Sequence, residues 1–189
     1  WKPFLWDMAE IDITNEPMVN EKISDLAPEL IINAAAYTNV DGCETNEAFA
    51  TKVNGEAVGY LANVAAKLGA TLAHYSTDYV FDGSKKAGYG EADAPKPINA
   101  YGRSKLAGEQ AIQNSGLKNY YIIRTAWLYG KDGKNFVETM LSLAEKGQPI
   151  KVIDDQVGSP TYAADLAKAT RGLVESKKPS GIYHRTNAG

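Results

Sequence analysis

Tyr101 and Lys105 are the residues in this sequence most suited to chemistry. They lie four apart in Asn99-Ala100-Tyr101-Gly102-Arg103-Ser104-Lys105, within a stretch whose pattern predicts a helix through Leu106, Ala107, Glu109, Ala111 and Ile112. Residues four apart share one helix face. An ammonium beside a phenol favours the phenolate and lowers the tyrosine pKa from its usual ~10. A phenol tuned in that way donates a proton to a carbonyl oxygen as hydride reaches the carbon. An exposed helix with an ordinary Tyr and Lys at chance spacing would look the same, so the surroundings decide. About 25 residues upstream stand Ser76, Thr77 and Asp78. A hydroxyl there can polarise the same carbonyl, or serve only as a turn and cap residue. Together they form a Ser/Thr…Tyr-x-x-x-Lys constellation, which points to an oxidation or reduction site.

Other residues are candidates for holding ligands. Ala34, Ala35 and Ala36 let a flat ligand such as a nicotinamide ribose approach the backbone, or simply pack closely. Asp7 or Asp12 can accept from a ribose hydroxyl, or be a solvated loop acid. Trp127 and Tyr129 can stack on a sugar or base, or fill a core. Asn135 can cap its helix, and a helix N-terminus favours phosphate. His74 and His184 sit in apolar strands and read as packing residues. No basic residue is placed to select a 2′-phosphate, so NADH and NADPH both remain open. No G-x-G-x-x-G occurs in the chain, and no His/Cys/carboxylate spacing suggests zinc.

The elements that must position these groups alternate between strand and helix. Strands are expected at 2–7, 30–36, 71–75, 119–125, 150–153 and 181–185. Helices are expected from Thr14 or Asn15 to Leu26, over 47–68, through the Tyr101 segment, over 135–145 and over 163–175. Residues 82–98 read as a long loop. The 30–36 run is apolar, as in a strand buried on both faces. Alternation of this kind predicts an α/β fold with a parallel sheet. Ligands then bind beyond the carboxyl ends of the strands, where Asp7, Ala34 to Thr38, Ser76 to Tyr79 and Thr125 to Tyr129 fall.

The 189 residues, 44% hydrophobic and 23% charged, suit one domain or slightly more. The net charge of −3 without a basic run argues against nucleic acid or an anionic membrane as partner. The lone Cys43 excludes a disulfide framework and fits a reducing compartment. No apolar run approaches the ~20 residues that span a bilayer.

Six stretches carry a resemblance over nearly the whole chain: 32–41 (INAAAYTNVD), 76–83 (STDYVFDG), 99–109 (NAYGRSKLAGE), 124–130 (RTAWLYG), Asn135-Phe136 and 154–161 (DDQVGSPT). With them the chain resembles the extended short-chain dehydrogenase/reductases, and among these the dTDP-4-dehydrorhamnose reductase family. The resemblance implies a Rossmann-like, doubly wound sheet, incomplete at both ends. Residues 1–130 would be the NAD(P)-binding core without its first βα unit. Residues 131–189 would hold the remaining core elements and the start of the sugar-nucleotide region.

It implies reduction of the C4 keto group of dTDP-4-dehydro-L-rhamnose, with NADPH or NADH. Tyr101 would be proton donor, Thr77 would supply the catalytic hydroxyl, and Lys105 would lower the Tyr101 pKa and hold the ribose. Asp12 and Ile13 would line the adenine end of the cofactor and Ala34, Ala35, Ala36, Tyr37 and Thr38 the rest. Thr77, Asp78 and Trp127 would contact the deoxysugar, and Asn135 would lie near the diphosphate. It further implies a cytoplasmic homodimer, with a magnesium ion in some members for which no ligands can be placed here. The chain by itself is expected to bind NAD(P)H poorly. Two alternatives share the scaffold: another nucleotide-sugar reductase, epimerase or dehydratase, and a non-catalytic partner similar to the regulatory subunit of methionine adenosyltransferase. Dehydratases carry an Asp-Glu pair that Thr77-Asp78-Tyr79 lacks.

Overall fold

The computed structural model describes residues 2–133, 135–147, 149–152 and 154–188. The chain forms two compact units. The first comprises Trp1–Ile123 with Ser180–Tyr183, and the second Arg124–Pro179 with His184–Gly189.

In chain order the elements are α1 (Glu16–Leu26), β1 (Leu30–Asn33), α2 (Val40–Thr45), α3 (Glu47–Thr51), a π-helical turn (Lys52–Glu56), α4 (Ala57–Leu68), β2 (Thr71–Thr77), a 3-10 turn (Asp78–Val80), α5 (Ala100–Asn114), β3 (Tyr120–Thr125), β4 (Leu128–Tyr129), α6 (Phe136–Glu145), β5 (Thr161–Tyr162), α7 (Ala163–Glu175) and β6 (Gly181–His184). The main sheet runs β1-β2-β3-β6. β1 and β2 are parallel, with Leu30 opposite Thr71 and Asn33 opposite His74. The fold is α/β with a parallel sheet.

Local signals explain most boundaries. Asn15 caps α1 by accepting from the Met18 amide, and Pro17 lies in the first turn, where a missing N–H costs nothing. Asn99 caps α5 by accepting from the Gly102 amide at 2.7 Å. Gly69 closes α4 with φ 69°, in the left-handed region. The first unit's core packs Val58, Ala62 and Ala65 of α4 on Leu72 of β2, Ile112 of α5 and Ile122 of β3. α1 covers the next face, with Val19 and Ile23 against Leu61 and Val64.

Four expectations are corrected. Residues 2–7 form no strand: they are exposed, and the Asp7 carbonyl instead closes a turn by accepting from Glu10 and Ile11. β1 stops at Asn33 and is an edge strand with Ile32 exposed, because only β2 pairs with it. The 47–68 helix exists, but an inserted π turn interrupts it, and the separate helix α2 precedes it. Residues 150–152 are exposed and form no strand, while Ile153 lies outside the described residues. Residues 82–98 carry no regular element, as expected. Asp82 nevertheless organises that loop, accepting from Ser84 and Tyr89 and pairing with Lys96 at 3.2 Å.

In the second unit β4 and β5 pair in parallel, Leu128 opposite Thr161. α7 buries Leu166, Thr170 and Leu173, whereas α6 buries no side chain.

Candidate active site

The carboxyl end of β2 and the first two turns of α5 bring together Thr77, Asp78, Tyr101 and Lys105. Their approach depends on missing side chains. A β-carbon at Gly102 would collide with the Tyr79 carbonyl oxygen, and one at Gly108 with the Asn54 carbonyl oxygen. α5 therefore sits closer to the 3-10 turn and to the π turn than any residue with a side chain would allow. The π turn places Asn54, which is fully buried, towards α5. Asn54 donates to Ser104 Oγ (3.0 Å) and to the Tyr37 carbonyl (2.9 Å), and its Oδ1 accepts from the Tyr37 amide (2.8 Å). One amide thus pins both the loop after β1 and the reactive helix. Single π turns recur at functional sites for such reasons.

The Tyr101 hydroxyl lies beside that of Thr77, and its ring meets Tyr79 edge-on at 5.6 Å. Thr77 is 5% exposed, donates to Asp78 Oδ1 at 3.0 Å and accepts from the Tyr79 amide. Burial pushes the Asp78 carboxyl above its ordinary range, against the opposing effect of the Thr77 bond. Burial likewise pushes the Tyr101 phenol up to about 12; the nearby Thr77 hydroxyl opposes the shift and the Asp78 charge adds to it.

This corrects the expectation that Lys105 lowers the Tyr101 pKa. The ammonium turns to the sheet, donating to the Tyr75 carbonyl at 2.7 Å, with His74 Nε2 at 3.5 Å. Desolvation of the phenol outweighs any charge effect of Lys105 here. Lys105 is itself 2% exposed, and burial lowers it to about 8 although Glu109, one turn on, acts in the opposite direction.

The remaining predicted residues divide. Ala34 and Ala35 are exposed beyond the end of β1, Ala36 and Tyr37 are half-buried, and Thr38 is exposed. Tyr37 packs edge-on against Phe49 at 5.2 Å. Asp12 is exposed and accepts from the Thr14 amide and hydroxyl, which lowers its pKa. Ile13 packs against the α1 face. Ser76, buried, is committed to Glu109 through a 2.6 Å hydrogen bond.

Trp127 and Asn135 belong to the second unit. Trp127 is 41% exposed, has φ 45° and lies against Gly158; a large side chain in the left-handed region is strained. Asn135 caps α6 through the Glu138 amide at 3.0 Å and donates to the Gly130 and Gly133 carbonyls. Among the described residues no cluster of three His, Cys, Asp or Glu side chains could hold a metal ion. No helix among them is long and apolar enough to cross a membrane.

Sequence reasoning passed over Asn54 and Asn33. The signal for Asn54 was an amide on the packed face of a helix of small apolar residues. For Asn33 it was a polar residue ending an apolar strand.

Comparison with known proteins places this geometry. The model of the RmlD substrate binding domain matches residues 4–189. The chain belongs to that family. It is 43% identical over 188 residues to the dTDP-4-dehydrorhamnose reductase of Burkholderia thailandensis, covering 95% of this chain and 63% of the relative. It is 42% identical over 180 residues to the dTDP-4-keto-6-deoxy-D-glucose reductase of Streptomyces niveus, covering 95% of this chain and 62% of that protein. The chain therefore spans about three-fifths of the length of these curated relatives. A solved dTDP-4-dehydrorhamnose reductase from Bacillus anthracis, in complex with NADP, superposes with a TM-score of 0.95 at 42% identity, covering 98% of this chain and 66% of that one. The Rossmann-like fold expected of an RmlD-family chain is thus shown.

Proposed function

We propose that the protein carrying this chain reduces the C4 keto group of dTDP-4-dehydro-L-rhamnose to the alcohol of dTDP-L-rhamnose. The observation that carries the reading is the placement of the Thr77 and Tyr101 hydroxyls side by side, with Lys105 one helical turn behind, in a chain of the RmlD family. The C4 oxygen is to be received by the Tyr101 and Thr77 hydroxyls. A phenol held near 12 is fully protonated at neutral pH, the form a proton donor needs. Thr77 orients that phenol and stabilises the charge developing on the oxygen. Asp78 contacts the deoxysugar; Trp127 gives it an aromatic face, and Asn135 lies near the diphosphate.

A reduced nicotinamide, NADPH or NADH, supplies the hydride when bound. The residues present fit its nicotinamide end. Ala34 and Ala35 are exposed and lack side chains that would fill the space beyond β1, and Asn54 hydrogen-bonds both backbone groups of Tyr37 after them. In this reading Ala36, Tyr37 and Thr38 continue that lining, Lys105 holds the ribose, and Asp12 and Ile13 meet the adenine end. The solved relative bound to NADP supports it. A homodimer, a cytoplasmic setting and a division near residue 130 belong to the same reading. The test is substrate-dependent NAD(P)H oxidation by the full-length protein. The Streptomyces niveus relative favours one variant of this reading, in which the sugar is dTDP-4-keto-6-deoxy-D-glucose. Turnover with each sugar separates the two.

A further inference from the structure

The polar residue ending β1 and the histidine facing it are not isolated packing groups. Parallel register sets Asn33 opposite His74, and both are buried, at 5% and 0% exposure. Asn33 Oδ1 accepts from the Ala35 backbone N–H at 3.1 Å. A backbone N–H can only donate, so this contact fixes which way the Asn33 amide faces. Asn33 Nδ2 then donates to His74 Nδ1, 3.0 Å away. With Nδ1 accepting, a neutral imidazole carries its proton on Nε2. That nitrogen lies 3.5 Å from Lys105 Nζ.

We propose that Asn33 and His74 are positioning residues: they run a one-way hydrogen-bond chain from the Ala35 backbone N–H to Lys105, and so bias Lys105 toward its neutral amine form. A neutral amine satisfies both of its neighbours, donating to the Tyr75 carbonyl at 2.7 Å and accepting from His74 Nε2–H. An ammonium has no lone pair and would leave that N–H facing a donor. The charged groups around Lys105 agree in part. His74 from β2 is neutral, held so chiefly by complete burial. Glu109 on α5 favours the ammonium, but Ser76 already donates to that carboxylate at 2.6 Å. The lowering of Lys105 to about 8 accords with the chain's direction. The chain starts at the Ala34–Ala36 loop, so the segment read above as lining the cofactor also biases the lysine. That significance rests on the proposed function; the direction of the chain does not.

The experiment is NMR on the full-length protein without substrate. Nitrogen-15 histidine labelling, with His184→Gln to leave one fewer imidazole signal, should show His74 protonated on Nε2 alone and unchanged from pH 5.5 to 9. A signal from the Nδ1–H form, or titration in that range, overturns the proposal. In Asn33→Asp a carboxylate accepts from Ala35 and from His74 Nδ1–H, reversing the chain. His74 should switch tautomer, and the Lys105 side-chain carbon signal, assigned by its loss in Lys105→Met, should titrate about one pH unit or more higher. An unmoved Lys105 midpoint in folded Asn33→Asp contradicts the proposal, and if that variant does not fold the native tautomer decides it. An Nε2–H tautomer together with absent turnover would leave the chain standing and remove the reductase reading instead.

Discussion

Helices α5 and α6 begin alike and end up differently. Each is capped by an asparagine whose side chain accepts from the third amide of the helix. α5 then buries Ala100, Gly102, Ser104, Lys105, Gly108, Glu109 and Ile112, so its position is fixed by contacts on several sides. α6 buries nothing and leaves Phe136, Val137 and Leu141 exposed. A cap starts a helix; only close packing places it to the fraction of an ångström that proton transfer needs. That packing surrounds α5, which carries Tyr101 and Lys105, and is absent around α6.

The largest expected effect is on the packed side. Tyr101→Phe should lower turnover by roughly a hundred- to ten-thousand-fold, while thermal unfolding moves by no more than about 1 kcal/mol. A matching loss of stability would make Tyr101 a structural residue.

Next comes pH. Lys105 rests at about 8 against an ordinary 10.5. Between those values the unfolded chain holds the proton that the folded chain has released, so stability rises with pH through that window. The benefit is complete above 10.5 and is lost as pH falls through 8. Tyr101, raised from 10 to about 12, acts oppositely: its stabilisation is complete below 10 and disappears as pH climbs through 12. Denaturant titrations at stepped pH should show a rise on the order of 3 kcal/mol that Lys105→Met abolishes. A flat profile in the native protein would mean that Lys105 is hydrated.

A pair of glycine substitutions sharpens the contrast between units. Gly108→Ala should destabilise by about 1–3 kcal/mol, because its methyl group meets the Asn54 carbonyl. Gly172→Ala in α7, where nothing lies within 4 Å, should stabilise by up to about 1 kcal/mol. Equal effects at the two sites would erase the distinction. The smallest expected change is Asn135→Ala, about 1 kcal/mol from the lost cap, read as reduced amide-exchange protection confined to α6.

The legible part of the fold was what local chemistry decides. Asn15, Pro17 and Gly69 mark boundaries that the structure keeps, and the spacing of Tyr101 and Lys105 does put both on one helix. What could not be read was set by distant partners. The apolar run at 30–36 suggested a strand covered on both faces, yet Ile32 is exposed because a strand's burial depends on its neighbours rather than on its own residues. The π turn holds Asn54, whose partners Tyr37 and Ser104 lie 17 and 50 residues away in the chain. The Lys105 direction was missed for the same reason: a spacing rule sees Tyr101 on the same helix, but not the Tyr75 carbonyl across the gap to β2.

The most direct test is oxidation of NADPH and of NADH by the full-length protein in the presence of dTDP-4-dehydro-L-rhamnose, followed at the nicotinamide absorbance, with Tyr101→Phe run in parallel. The account predicts oxidation that requires the sugar nucleotide and falls by roughly a hundredfold or more in the folded variant. Substrate-dependent oxidation that survives Tyr101→Phe, or none at all in a folded native protein, would contradict it.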